Sequence, residues 1–144
     1  MKTIILIILL PLSLFGQELT QEQRIVAMTI LGEARGEGEA GMYAVACVIA
    51  QRVIEWKKTP TKICLQELQF SCWNPDDPNR AKLPHLLNIP QATYAKRLAI
   101  HLYRIDRTWI KNADHYCTLG THNYWTKGQK IVAVVGGQKF YKLR

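Results

Sequence analysis

Ile30-Leu31-Gly32-Glu33-Ala34-Arg35-Gly36-Glu37-Gly38-Glu39-Ala40-Gly41 is the stretch on which the reading of this 144-residue chain turns. It sets one carboxylate, Glu33, at the end of an apolar helical run and follows it at once with small and charged residues. A carboxyl group leaving a buried helix into a glycine-lined opening can keep a proton and still reach a substrate, as a general acid must. Arg35 works against that, because a close cation favours the ionised form. It is therefore expected to point away from Glu33, toward Glu37 or Glu39.

Upstream, Thr20 and Gln23 have the form of a capping box, so a first helix is expected from about Thr20 to Ala34, with Ile25, Met28 and Leu31 on one side. Gly36, Gly38 and Gly41 end it. Downstream, Met42, Val45, Ala46, Ile49, Val53 and Trp56 recur at helical spacing and mark a core helix closed by Lys57-Lys58-Thr59-Pro60. Residues 61–90 read as mostly irregular, with prolines at 60, 75, 78, 84 and 90. A connection of that length in a small domain is functional or disordered, and Cys64, Phe70, Cys72 and Trp73 argue for order. A third helix is expected over Gln91 to Ile105. Lys130 to Val135, the turn Gly136-Gly137 and the return Gln138 to Lys142 read as a β-hairpin. The plan is α+β: a helical core, a small antiparallel β element and a loop-walled groove between them.

The length suits one domain, residues 17–144, expected to act as a monomer. Ahead of it, Lys2 and the apolar run Thr3 to Phe15 read as a secretory signal peptide over residues 1–16. That run is shorter than the roughly 20 residues a spanning helix needs, so no stable membrane anchor is expected. Export to the periplasm or the exterior follows. The formal charge is +8, and loss of the leader removes Lys2 and no acid. A basic exported protein suits anionic wall polymers or membrane surfaces, and nucleic acid is not the expected partner. Cys47 falls on a buried helix face, where a small apolar thiol is the default. Cys64, Cys72 and Cys117 are expected to contribute one disulfide. His115, Cys117 and His122 match no trusted zinc spacing, so no metal or other cofactor is expected.

Three separated segments are rich in functional side chains: Gly32 to Glu39, Gln66 to Asn74, and Ala113 to Tyr124. A carbohydrate groove needs a carboxylic acid, aromatic rings for sugar faces and amides for hydroxyls, and these segments hold all three. The same segments carry a family resemblance. Glu-Ala-Arg-Gly-Glu at 33–37, continuing through Gly41 to Arg52-Val53, resembles the signature of cell wall hydrolases of the SleB type, the spore-cortex-lytic enzymes. Gln69-Phe70-Ser71-Cys72-Trp73-Asn74, Ala113-Asp114-His115-Tyr116 and Gly136-Gly137-Gln138-Lys139-Phe140 continue the pattern in order. Cys117 and His122 fall in a stretch where the family varies.

The resemblance implies a lysozyme-like fold acting on peptidoglycan glycan strands between N-acetylmuramic acid and N-acetylglucosamine, with Glu33 as catalytic acid. It also admits lytic transglycosylases, which leave a 1,6-anhydromuramic end. Ordinary glycosidases need two carboxylates, roughly 5–5.5 Å apart for retention or 6.5–9.5 Å for inversion. Glu37, Asp76, Asp77 and Asp114 are the candidates for a second. A lytic transglycosylase needs only one, because the sugar's own 6-hydroxyl attacks. Around Glu33, the substrate-binding candidates are Glu37, Gln69, Phe70, Ser71, Trp73, His115 and Tyr116. Glu37 also has a structural reading, pairing with Arg35 or capping the second helix, and Phe70 reads equally as core. Trp73 reads as a sugar-stacking platform rather than a plug. A hydrolytic muramidase and a non-catalytic wall-binding module are the competing readings.

Overall fold

The computed structural model describes residues 17–143, so the expected leader over 1–16 lies outside the described residues. Helix α1 spans Gln21–Ala34. Its capping box is complete: the Thr20 hydroxyl accepts from the Gln23 amide at 3.1 Å, and the Gln23 side chain accepts from the Thr20 amide at 3.0 Å. Helix α2 spans Gly38–Trp56, beginning four residues ahead of the first apolar marker, and ends at Lys57 in the left-handed conformation.

From Gly41 to Val53 every residue of α2 except Tyr43 is buried. A helix apolar on all sides belongs in the middle of a structure. Met42, Val45, Ala46, Ile49, Ala50 and Val53 join a helical core with α1, while Ala44, Cys47 and Val48 pack on Ile110, Ala113 and Phe140 beneath the sheet. Helix α2 thus separates two cores and serves both.

Residues 61–90 are not a structureless loop. They fold as short helical turns: α3 (Pro60–Cys64), 3-10 turns at Ser71–Trp73 and Arg80–Lys82, and α4 (Leu83–Leu86). Thr59 caps α3, whose Thr61 bonds through its amide and its hydroxyl to Glu22 of α1. Pro60 and Pro84 fall in the first turns of α3 and α4, where a missing N–H is tolerated. Helix α5 covers Ala92–Ile100, shorter than the expected span to Ile105. The chain leaves α geometry at His101 and continues as a 3-10 turn, Leu102–Arg104. Beyond it the backbone docks on α2: the Asp106 amide donates to the Tyr43 hydroxyl, and the Cys47 thiol to the Asp106 carbonyl.

The sheet has three antiparallel strands in the order β1 (His115–Thr118), β3 (Gln138–Tyr141), β2 (Ile131–Val135). The β2–β3 hairpin falls where the sequence places it, and β1 is an addition from the segment before it. Pairing Tyr116 with Phe140 and His115 with Tyr141 makes β3 the central strand, buried at every position. All four cysteines are free thiols, contrary to the expected disulfide. Cys64 and Cys72 lie within the helical core, whereas Cys117 sits on β1 with its sulfur 4.0 Å from the Thr121 carbonyl.

The hairpin is fastened by Glu37. Its carboxylate accepts the Gly137 amide at 3.0 Å, and a Cβ on Gly136 would stand 2.7 Å from Glu37 Oε2. Gly136 also has φ +55°, so a side chain there meets both strain and collision. Glu37 is thereby committed to structure, although its partner is neither Arg35 nor the α2 backbone. Glu37→Ala is expected to destabilise the protein by about 1–3 kcal/mol, because it strands a half-buried amide. Urea denaturation monitored by circular dichroism measures this, with Glu39→Ala as the near-neutral control.

Candidate active site

Glu33 lies in the last turn of α1, between buried Leu31 and Ala34, and is itself half-buried. Three donors from two other segments converge on its carboxylate. Oε1 accepts from the Cys72 amide at 3.0 Å and the Ser71 hydroxyl at 3.3 Å, and Oε2 accepts from the Tyr116 hydroxyl at 2.8 Å. Charge-assisted bonds of this kind are stronger than neutral ones and fix the acceptor in place.

Local sequence explains each arm. Gly32 lets α1 approach the Ser71–Trp73 turn: a Cβ there would sit 2.7 Å from Cys72 Cβ and 2.9 Å from Leu83 Cδ2. No other residue permits that approach without displacing the turn that carries the Cys72 amide. On the sheet side, Tyr116 stacks on Phe140 of β3 with ring centroids 5.6 Å apart, which aims its hydroxyl at α1. Burial, then the charge of Glu33 and the bond to it, holds that phenol well above its ordinary range. Tyr116 is therefore a proton donor that keeps its proton. The Cys72 thiol is also pushed up, by burial first and by Glu33 second, so it stays neutral beside the carboxylate.

Arg35 points away from Glu33, as expected, but not toward Glu37 or Glu39. Its guanidinium turns back on the end of α1, donating to the Leu31 and Gly32 carbonyls at 3.2 and 3.3 Å, and reaches Asn79 Oδ1 at 3.0 Å. The negative end of the helix dipole attracts such a cation, although the Leu31 carbonyl also takes the Arg35 amide. Among the described residues no ion pair involves Glu33.

The remaining sequence candidates have other surroundings. Phe70 is buried with its ring 5.0 Å from the Arg52 guanidinium, and the Gln69 amide closes a turn on Gln66. The indole N–H of Trp73 donates to buried Thr29 at 2.9 Å, which makes Trp73 a plug on the helical core. His115, one residue before Tyr116 on β1, emerges on the opposite side of the strand. It contacts Asp114 at 3.0 Å and stands beside Trp56 and Trp125. Asp114 also accepts the Leu143 amide and pairs with Lys142, which binds Glu55. Asp77 takes the Asn79 amide. Of the expected set, Glu33, Ser71 and Tyr116 meet directly. The Cys72 amide completes the cluster, and no side-chain pattern could have announced a backbone donor. Arg52, buried in α2, was visible as one cation inside an apolar helix.

Among the described residues no cluster of His, Cys, Asp and Glu is arranged to hold a metal. No helix among them is long and apolar enough to cross a membrane. A cavity of about 420 Å³ between the start of α2 and α5, lined by Glu39, Met42, Tyr94 and Arg97 among others, shares no residue with the Glu33 cluster.

The fold matches two solved structures. One is the catalytic domain of the germination-specific lytic transglycosylase SleB from Bacillus anthracis, with 20% identity and TM-score 0.65, over 88% of this chain and 99% of that one. The other is the catalytic domain of the Bacillus cereus SleB protein, with 21% identity and TM-score 0.65, over 88% and 94%. At such identities the likeness is one of fold. No curated protein matches. The sequence model of the family described as Cell Wall Hydrolase matches residues 36–141, beginning just past Glu33. With most of its length matched, the chain belongs to the cell wall hydrolase family.

Proposed function

We propose that this protein cleaves the glycan strand of peptidoglycan between N-acetylmuramic acid and N-acetylglucosamine, as a lytic transglycosylase whose single acid/base is Glu33. The observation that carries the reading is a half-buried carboxylate fixed by three donors, with three of its four rivals engaged elsewhere and the fourth, Asp76, exposed and making no bond to the Glu33 cluster. Glu37 holds the hairpin, Asp114 holds Lys142 and the Leu143 amide, and Asp77 holds Asn79. A one-carboxylate mechanism fits that set better than a hydrolytic muramidase, which needs a second free group.

In the proposed reaction protonated Glu33 gives its proton to the glycosidic oxygen as the bond to the anomeric carbon breaks. The muramic 6-hydroxyl attacks that carbon, and Glu33 takes the hydroxyl proton, which restores the acid and closes the anhydro ring. Tyr116 and the Cys72 amide can only donate to Glu33 while they keep their protons, so they hold the carboxylate. The Ser71 hydroxyl rotates. It donates to ionised Glu33 and can accept from the protonated form, which suits an oxygen that alternates between states. The leader reading places this activity outside the cytoplasm, and the basic charge suits an anionic wall.

Glu33→Gln should lower turnover by about 10²–10⁴-fold, the usual share of general acid–base catalysis, with unfolding near wild type. Mass spectrometry of muropeptides released by the purified chain checks both points. Anhydromuramic ends support the reading, and reducing muramic ends or an active Glu33→Gln protein overturn it.

Tyr116→Phe should reduce turnover by roughly 10- to 100-fold, the worth of a hydrogen bond to a charged group. Ultraviolet titration of wild type against Tyr116→Phe should find this phenol still protonated at pH 10, where exposed tyrosines are half ionised. Glu33→Gln should move its transition downward, since the negative charge that opposes ionisation is gone.

A further inference from the structure

Arg52 is 2% exposed, in the middle of α2. Its Nε donates to the Asp114 carbonyl at 2.7 Å, and its guanidinium lies 5.0 Å from the Phe70 ring centroid and 5.1 Å from that of Trp56. One terminal nitrogen has no protein partner. No carboxylate forms an ion pair with it among the described residues. A buried cation so poorly compensated is costly, and an unbranched apolar side chain would fill the slot at lower cost. Its value must lie in what it holds.

Its two holds are the two arms of the site. Phe70 immediately precedes Ser71 and Cys72, the donors to Glu33 Oε1. Asp114, whose main-chain carbonyl Arg52 holds, immediately precedes β1 and stands two residues before Tyr116, the donor to Oε2. We infer that Arg52 is a positioning residue that clasps the Phe70–Cys72 turn and the Asp114–Tyr116 segment together, so that donors from both meet on Glu33. The inference rests on the reading of Glu33 as the acid. The planar guanidinium is suited to the task, since one face can stack on a ring while an edge nitrogen bonds a carbonyl; a lysine ammonium offers no such plane. Electrostatics runs the same way. Burial pulls the Arg52 guanidinium below its ordinary range, and Tyr116, then Asp114, Cys64 and Glu33, favour its charged form. The clasp and the site thus share one local field.

The test compares wild type, Arg52→Lys and Arg52→Met, with Glu33→Gln as the inactive control, on purified peptidoglycan. Both Arg52 variants should lose about 10- to 100-fold in kcat, as expected for slight misplacement of a catalytic group, with KM within about twofold. Amide hydrogen exchange supplies a readout independent of turnover. The Cys72 amide should lose protection in both variants while the core amides of α1 keep theirs. Wild-type kcat together with wild-type Cys72 protection overturns the inference. So does an even loss of protection across the core, or failure of both variants to fold, since either makes Arg52 a general core residue. If wild type itself releases no muropeptides, the Glu33 reading falls, and the Cys72 exchange still decides whether Arg52 sets the geometry.

Discussion

Burial of α2 on both faces is the constraint on which the rest of this structure depends. A helix that presents Met42, Val45 and Ile49 to one core and Ala44, Cys47 and Val48 to another fixes how helices and sheet stand to each other. The sheet is too small to be stable by itself, with three short strands around one buried central strand. It is ordered because Phe140 and Ala113 complete the second core and because Glu37, in the turn that opens α2, holds the hairpin tip. Tyr116 can reach α1 only because that docking is firm. The distance from Tyr116 to Glu33 is a consequence of packing on a helix that touches neither oxygen.

The surroundings of Glu33 combine contributions from three parts of the fold. Its donors come from the 3-10 turn and from β1, and α1 supplies only the carboxylate and the missing side chain at Gly32. Two other acids are tied to separate parts of the fold, Glu37 to the hairpin and Asp114 to the C-terminal segment, and each satisfies a backbone amide there. Arg35, the cation nearest in sequence, is drawn off by the carbonyls at the end of α1.

What was legible in the sequence was what depends on neighbours in the chain. The Thr20–Gln23 capping box, the apolar period of α2 and the Gly136-Gly137 hairpin are local signals, and the structure contains all three. The α+β plan followed from those local patterns, the four motifs in order pointed to the SleB-type fold, and the fold match to two SleB catalytic domains agrees with both. What could not be read depends on tertiary contacts. Strand β1 exists because β3 pairs with it, and its run of polar and aromatic residues carries no β-branched signal before Thr118. Helix α5 stops at Ile100, short of the expected Ile105, and the chain beyond it docks on α2 through Asp106. Trp73 reads as an open platform until buried Thr29 takes its N–H. At the site, residue types announced Glu33, Ser71 and Tyr116, while the Cys72 amide is a donor that every residue but proline carries.

The mixture of donors around Glu33 also bears on the proposed acid/base role. An acid that gives up a proton and then recovers one needs a stable ionised form between the two events, yet it must not be held in that form. A fixed amide and a phenol that keeps its proton stabilise the carboxylate without being able to protonate it. The Ser71 hydroxyl, exposed and free to turn, is the one partner that can reverse its role. The Cys72 thiol, pushed up by burial first and by that same carboxylate second, adds no second negative charge beside Glu33.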